Sequence, residues 1–202
     1  DGNTETQEIT LTVTAEQDAF DDSVTTDEDT AVTASVVGND VFEGAPVFTI
    51  NNDAVNGGTV VDNGSGGYTY TPAGNYNGTD TFTYTVASGG VTETATVTVT
   101  VTQINDPVTF GGATTGSGVE DAGAITGTLT ATDTADGMTT PNFTVTSGTS
   151  NGVASIDATT GAWTYTPSLD YFGPDSFTVS VTDDDGNTET QEITLTVTAE
   201  QD

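Results

Sequence analysis

Apolar and polar residues take turns along most of this chain. In Thr94–Thr102 valine alternates with threonine, and near the end Ile193, Leu195 and Val197 alternate with Thr194, Thr196 and Thr198. A period of two is the pattern of a strand with one face buried. It predicts strands over Thr30–Val37, Val47–Ile50, Thr59–Asp62, Tyr68–Thr71, Thr81–Val86 and Thr92–Gln103. A second series runs through Ile125–Thr132, Asn142–Thr146, Val153–Ile156, Trp163–Thr166, Ser176–Val181 and Thr188–Ala199. Asn-Gly pairs such as Asn56-Gly57, Asn63-Gly64, Asn77-Gly78 and Asn151-Gly152 read as turns, because both residue types tolerate positive φ. No apolar period of 3.6 residues runs for the length of a helix. Many short strands with turn signals between them predict antiparallel β-sandwiches and an all-β fold.

The two series overlay. Tyr68, Tyr70 and Pro72 fall on Trp163, Tyr165 and Pro167 at an offset of 95, as do Tyr76 on Tyr171, Asp80 on Asp175 and Phe82 on Phe177. Thr92-Glu93-Thr94 falls on Thr188-Glu189-Thr190 at an offset of 96. The matched aromatics are expected in the two cores, with a carbohydrate-stacking surface as the alternative. The Val/Thr strand is expected to be half-buried with a solvated threonine face, against an ice-binding reading.

A stricter repeat is superimposed. Residues 1–18 and 185–202 are the same eighteen letters, DGNTETQEITLTVTAEQD, which gives a period of 185 − 1 = 184 residues. Fixed-period identity points to a tandem array. The expected unit is a domain pair: residues 1–18 as the last strand and linker of a preceding repeat, 19–106 as one sandwich and 107–202 as a second. Ile9, Leu11 and Val13 would form the leading strand's apolar face, covered by a neighbouring copy. Donation of that strand to a separate chain is the alternative.

Composition narrows the chemistry. The chain has 31 acidic residues, no Lys, Arg or His, and a formal net charge of −31. Binding nucleic acid through phosphates requires cations, and an anionic membrane surface is equally disfavoured. No apolar run approaches the length of a membrane span, so membrane insertion is not expected. Without Cys and His there is no thiolate nucleophile, zinc–thiolate site or serine–histidine triad. Catalysis is not expected: a paired-carboxylate hydrolase needs a cleft that nothing here suggests. Patterned apolar residues argue against disorder. Carboxylates, amides, hydroxyls and carbonyls remain. These hard oxygen donors suit Ca²⁺, and a divalent cation would relieve the self-repulsion of the acids. The acids collect where strands end: Asn105-Asp106, Glu120-Asp121, Asp133 with Asp136, Asp170 and Asp183-Asp184-Asp185. A merely solvating surface is the alternative.

The run 160–171, TGAWTYTPSLDY, then 176–187, SFTVSVTDDDGN, then the alternating last strand, resembles cadherin-like repeats. Asn105-Asp106-Pro107 looks like a shortened cadherin linker. The nearest likeness is to the tandem cadherin-like or Ig-like repeats of giant RTX-type bacterial adhesins, over both domains. The resemblance implies Greek-key sandwiches with Ca²⁺ at each domain junction. For the junction of the two domains it implies Glu28 from the first, Asn105 and Asp106 from the linker, and Asp133, Asp136, Asp183 and Asp185 from the second. Glu120, Asp170 and Asp202 are the counterparts at the far end of the second domain, and Asp18, Asn39 and Asp40 at the near end of the first. Two departures stand out: Asn75 where the second domain has Asp170, and Ser88-Gly89-Gly90 where it has Asp183–Asp185. They predict alternating strong and weak junctions. The function so implied is a calcium-stiffened extender of an extracellular, surface-borne bacterial adhesin or fibre, its partners being neighbouring copies of the repeat. A filament or sheath built by lateral self-association, and a glycan- or ice-binding module, are the alternatives.

Overall fold

The computed structural model describes residues 2, 4–10, 16–42, 44–135, 137–184 and 186–200. The chain divides into two units, 1–104 and 105–202. Every element among the described residues is a β-strand or turn.

Unit 1 contains β1 (Asp22–Asp27), β2 (Val32–Ser35), β3 (Val47–Ile50), β4 (Thr59–Gly64), β5 (Gly67–Thr71), β6 (Gly78–Ser88) and β7 (Val91–Thr102). Its sheets run β1-β7-β6-β3 and β2-β5-β4. Unit 2 contains β8 (Thr109–Gly112), β9 (Thr115–Val119), β10 (Ile125–Thr132), β11 (Asn142–Ser147), β12 (Gly152–Ile156), β13 (Ala162–Pro167), β14 (Gly173–Thr182) and β15 (Thr188–Thr198). Its sheets run β11-β14-β15-β9 and β12-β13-β10-β8. Each of the twelve predicted strands is present, with ends moved by a few residues. Pairing is antiparallel except that β1 lies parallel to β7 and β9 parallel to β15.

The expected cores form because inward positions of the facing sheets are apolar. Tyr68, Tyr70, Phe82 and Tyr84 with the valines of β7 fill unit 1; Trp163, Tyr165 and Phe177 with Ile193, Leu195 and Val197 fill unit 2. Tyr68 meets Phe82 edge-on at 5.0 Å and 72°, and the matched pair Trp163–Phe177 repeats this at 5.8 Å and 70°. These aromatics are buried, so none is on a surface that could stack a sugar.

The sequence pattern did not announce three strands. β1 (DSVTTD) has a single apolar residue, and β8 and β9 are rich in glycine. They fold as strands because of what they lie against: β1 and β9 complete sheets beside β7 and β15. The opposite correction applies at the front. Residues 4–10 form no strand and Ile9 is exposed, although the same letters build β15. β15 is held between β14 and β9, whereas residues 4–10 pair with no strand among the described residues, and a lone strand is not stable in water. Leu11 and Val13 lie outside the described residues.

Candidate metal centre

Each sandwich has an end where its chain enters and an end where it leaves, and acids gather at both. At the leaving end of unit 1 the turn after β1 carries Glu28. Its N–H donates to the Thr102 carbonyl at 2.9 Å, and its Oε1 accepts the Ile104 N–H at 2.7 Å. The carboxylate therefore ties the turn to the outgoing chain. Glu28 is 3% exposed, and its Oε2 is buried with no hydrogen-bond partner. Next to it, Asp29 Oδ1 accepts the Asn75 N–H at 3.0 Å. Asp29 and Asn75 sit at φ 54° and 55°, which Asp and Asn tolerate better than other side chains.

Unit 2 repeats this cradle. Glu120 N–H donates to the Thr198 carbonyl at 2.9 Å, Glu120 Oε1 accepts the Glu200 N–H at 3.0 Å, and Asp121 Oδ1 accepts the Asp170 N–H at 3.4 Å. Asp121 and Asp170 sit at φ 57° and 56°. The structure thus brings Glu120 and Asp170 to one end of unit 2. Asp202 lies outside the described residues. The Glu-Asp dipeptide was the signal for Asp29, which shares the site and was not predicted.

At the entering end of unit 1, Asp18, Asn39 and Asp40 come together. Val41 N–H donates to the Asp18 carbonyl at 3.1 Å, Phe20 N–H to Asp40 Oδ1 at 2.8 Å, and Asn39 Nδ2 to the Asp21 carbonyl at 3.0 Å. Three further groups belong here. Glu93 Oε2 accepts the N–H groups of Asp18 and Ala19 at 2.7 and 2.9 Å. The Tyr84 hydroxyl faces Asp40 Oδ2 at 3.0 Å and the Phe20 carbonyl at 2.8 Å. Asp22, inward-facing on β1, has a buried Oδ2 without a hydrogen-bond partner. Burial first, and the charge of Asp40 second, push the Asp22 carboxyl up to about 6, against the hydrogen bond from Tyr84.

At the entering end of unit 2, Asn105 Nδ2 donates to Glu189 Oε1 at 3.4 Å. Glu189 Oε2 is buried without a hydrogen-bond partner. Asp133 and Asp183 are both buried. Asp133 Oδ1 accepts the Ala135 N–H at 3.1 Å and Asp183 Oδ1 the Asn187 N–H at 2.8 Å, each shaping its own loop. Asp184 joins the two loops: its Oδ2 accepts the Thr139 hydroxyl at 2.5 Å and the Thr139 N–H at 2.9 Å. Those two bonds hold its carboxyl below the usual range. Asp106 is half-buried. Asp136 and Asp185 lie outside the described residues. Glu93 and Glu189 were legible as a matched pair at offset 96, but that spacing alone carried no chemistry.

Among the described residues no group of three or more carboxylates stands close enough together to hold a metal ion. What the ends do offer is buried carboxylate oxygens, in a chain with no basic side chain to answer them. Oxygen-only donor sets of carboxylates, carbonyls and amides fit Ca²⁺.

No curated protein matches the chain. Among solved structures, domains EC1-2 of human protocadherin-24 (form II) give a TM-score of 0.54 at 16% identity, covering 89% of this chain and 95% of that one. Domains EC1-2 of human mucin-like protocadherin give 0.46 at 20% identity, covering 91% and 97%. An endo-fucoidan hydrolase of glycoside hydrolase family 107 gives 0.39 at 19% identity, covering 89% of this chain and only 28% of the hydrolase. At such identities the likeness speaks of fold alone. Within the sequence itself, the bacterial Ig domain pattern is matched twice, over residues 15–100 and 105–196, one copy per sandwich. Domains of this kind are typically extracellular structural modules, and no helix among the described residues is long and apolar enough to cross a membrane. The chain belongs to the bacterial Ig domain family, as a tandem pair with the cadherin-like sandwich fold.

Proposed function

We propose that this chain is one period of the stalk of an extracellular bacterial adhesin or fibre, with sandwiches stiffened by Ca²⁺ bound at their acidic ends. The observation that carries the reading is Glu28. It is almost wholly buried, one of its oxygens has no hydrogen-bond partner, and its other oxygen holds the outgoing chain at Ile104. A buried charge costs several kcal/mol unless it is paired. The chain contains no Lys, Arg or His to pair it, so a soluble cation is the available partner. Glu189, with its own unpartnered Oε2 and its contact to Asn105, supports the same reading at the entering end of unit 2.

Ca²⁺ has two effects in this account. It neutralises acids that otherwise repel, and it fixes the residues on either side of the linker to the sandwich each belongs to. The test is a calcium titration of the chain against EDTA, following melting temperature and radius of gyration. Calcium should raise the first and give a more extended, more uniform particle. Melting and dimensions indifferent to chelator would sink the calcium account.

A further inference from the structure

Besides single exposed valines such as Val55 and Val153 on loops and strands, large apolar side chains are exposed in pairs close in sequence or in space at two ends of the sandwiches. On unit 2, Leu169 is 85% exposed and Phe172 is 61% exposed. They flank Asp170 and Tyr171 at the leaving end, where Gly173 pairs with Val197 and Asp170 N–H meets Asp121. Subtracting the offset of 95, the same positions in unit 1 are Gly74 and Asn77, so unit 1 has no such pair. On unit 1 the apolar pair is at the entering end: Phe20 is 40% exposed and Val41 is 67% exposed. Their chain segments are tied to each other, because Phe20 N–H donates to Asp40 while Val41 N–H donates to the Asp18 carbonyl. At the entering end of unit 2, Val108 comes just after the linker and is buried.

The eighteen-residue identity says which surfaces meet. In a repeat of period 184, Asp202 takes the place of Asp18, and Asp18 leads directly into Ala19-Phe20. We propose that Leu169 and Phe172 form a docking surface for Phe20 and Val41 of a second copy of this chain, so that successive periods join through an apolar contact. This rests on the reading of the chain as an array unit. The entering end of unit 1 has Ser88-Gly89-Gly90 where unit 2 has Asp183, Asp184 and Asp185, so that loop brings no acid to the contact. Clustered apolar residues in matching places, rather than single exposed ones, mark contact surfaces.

The chain has no cysteine, so an introduced thiol is unique. The test is a two-period chain, residues 1–202 joined to a further 19–202, with Leu169→Cys in the first or the second period. The uncharged reagent iodoacetamide is applied with calcium and with EDTA. The first-period thiol faces the next copy and should react about tenfold more slowly than the second-period thiol, as expected when a local contact must open first. The difference should persist in EDTA, and Phe20→Ser in the second period should abolish it. Equal rates in a folded chain overturn the docking alone. A difference that vanishes in EDTA assigns the junction to calcium ligands and also overturns it. A two-period chain that fails to reach the single chain's circular dichroism per residue overturns the array reading and the docking together.

Discussion

Tyr70 donates its phenolic proton to Asp80 Oδ2 at 2.8 Å inside unit 1, and Tyr165 makes the same bond to Asp175 Oδ2 at 2.9 Å inside unit 2. Asp80 is fully buried yet well served: the Asn56 and Thr81 N–H groups reach its Oδ1 at 2.9 and 2.8 Å. Asp175 collects the N–H groups of Ser150, Asn151 and Ser176. The aspartate thus gathers the chain after β3 or β11 onto the start of β6 or β14. Removing only the phenol donor, in Tyr70→Phe, should cost about 1–2 kcal/mol. Asp80→Ala leaves the phenol and two N–H groups stranded and should cost about 3 kcal/mol or more. Urea unfolding of the chain measures both. Losses confined to the unit 1 transition are expected, since the units have separate cores.

The glycines of β9 explain what the sequence pattern hid. A Cβ on Gly116 would lie 2.7 Å from the Trp163 ring, 2.9 Å from Ile125 and 3.1 Å from Leu195. The strand is apolar-poor because its neighbours already fill the core there. A reading that counts inward apolar residues on the strand itself cannot see this. The long strands β6, β7, β14 and β15 were legible because each supplies its own inward face. The site was legible to the extent that its acids match between domains or cluster in one loop. Asp22 and Tyr84 were not, because β1 brings Asp22 inward and unit 2 has Thr114 and Val179 in their places. Gly116→Ala should destabilise unit 2 by about 1–3 kcal/mol, the usual cost of overpacking. Thermal unfolding checks it, and a neutral result would contradict the close packing of Trp163 on β9.

Two sets of carboxyls give opposite responses to pH. At Asp80 and Asp175 burial works to raise the pKa, but the hydrogen bonds outweigh it and hold the folded value below 3.8. Their stabilisation is present above 3.8 and is lost as pH falls through the lower folded value. Asp22 is the reverse, raised from 3.8 to about 6. Its folded state holds the proton more tightly, so its contribution is fully present below 3.8 and is lost as pH rises through about 6. In EDTA, the chain should therefore gain stability relative to Asp22→Asn as pH falls from 6 towards 4, and both should lose it in stronger acid. Denaturation midpoints across pH 3–7 measure this. Parallel curves for the two proteins would refute the raised carboxyl of Asp22.

Glu28 and Glu120 hold equivalent cradles, so the calcium account makes one demand of both. Glu→Gln keeps an acceptor for the Ile104 or Glu200 N–H but removes the charge. Without calcium, Glu28→Gln should be no less stable than the native chain, because a buried charge without a basic partner disfavours folding. With calcium the order should reverse. A ligand at about a hundred times its Kd stabilises by about 2.7 kcal/mol, and the variant should lose most of that increment. Glu120 is only half-buried, so for Glu120→Gln the expected change is confined to the loss of the calcium increment of unit 2. Calorimetric melting with and without calcium separates the two effects. A Glu28→Gln variant that is weakened equally in calcium and in EDTA would make Glu28 a structural tie to Ile104 and nothing more. One whose calcium increment equals that of the native chain would move the ion to carboxylates other than Glu28.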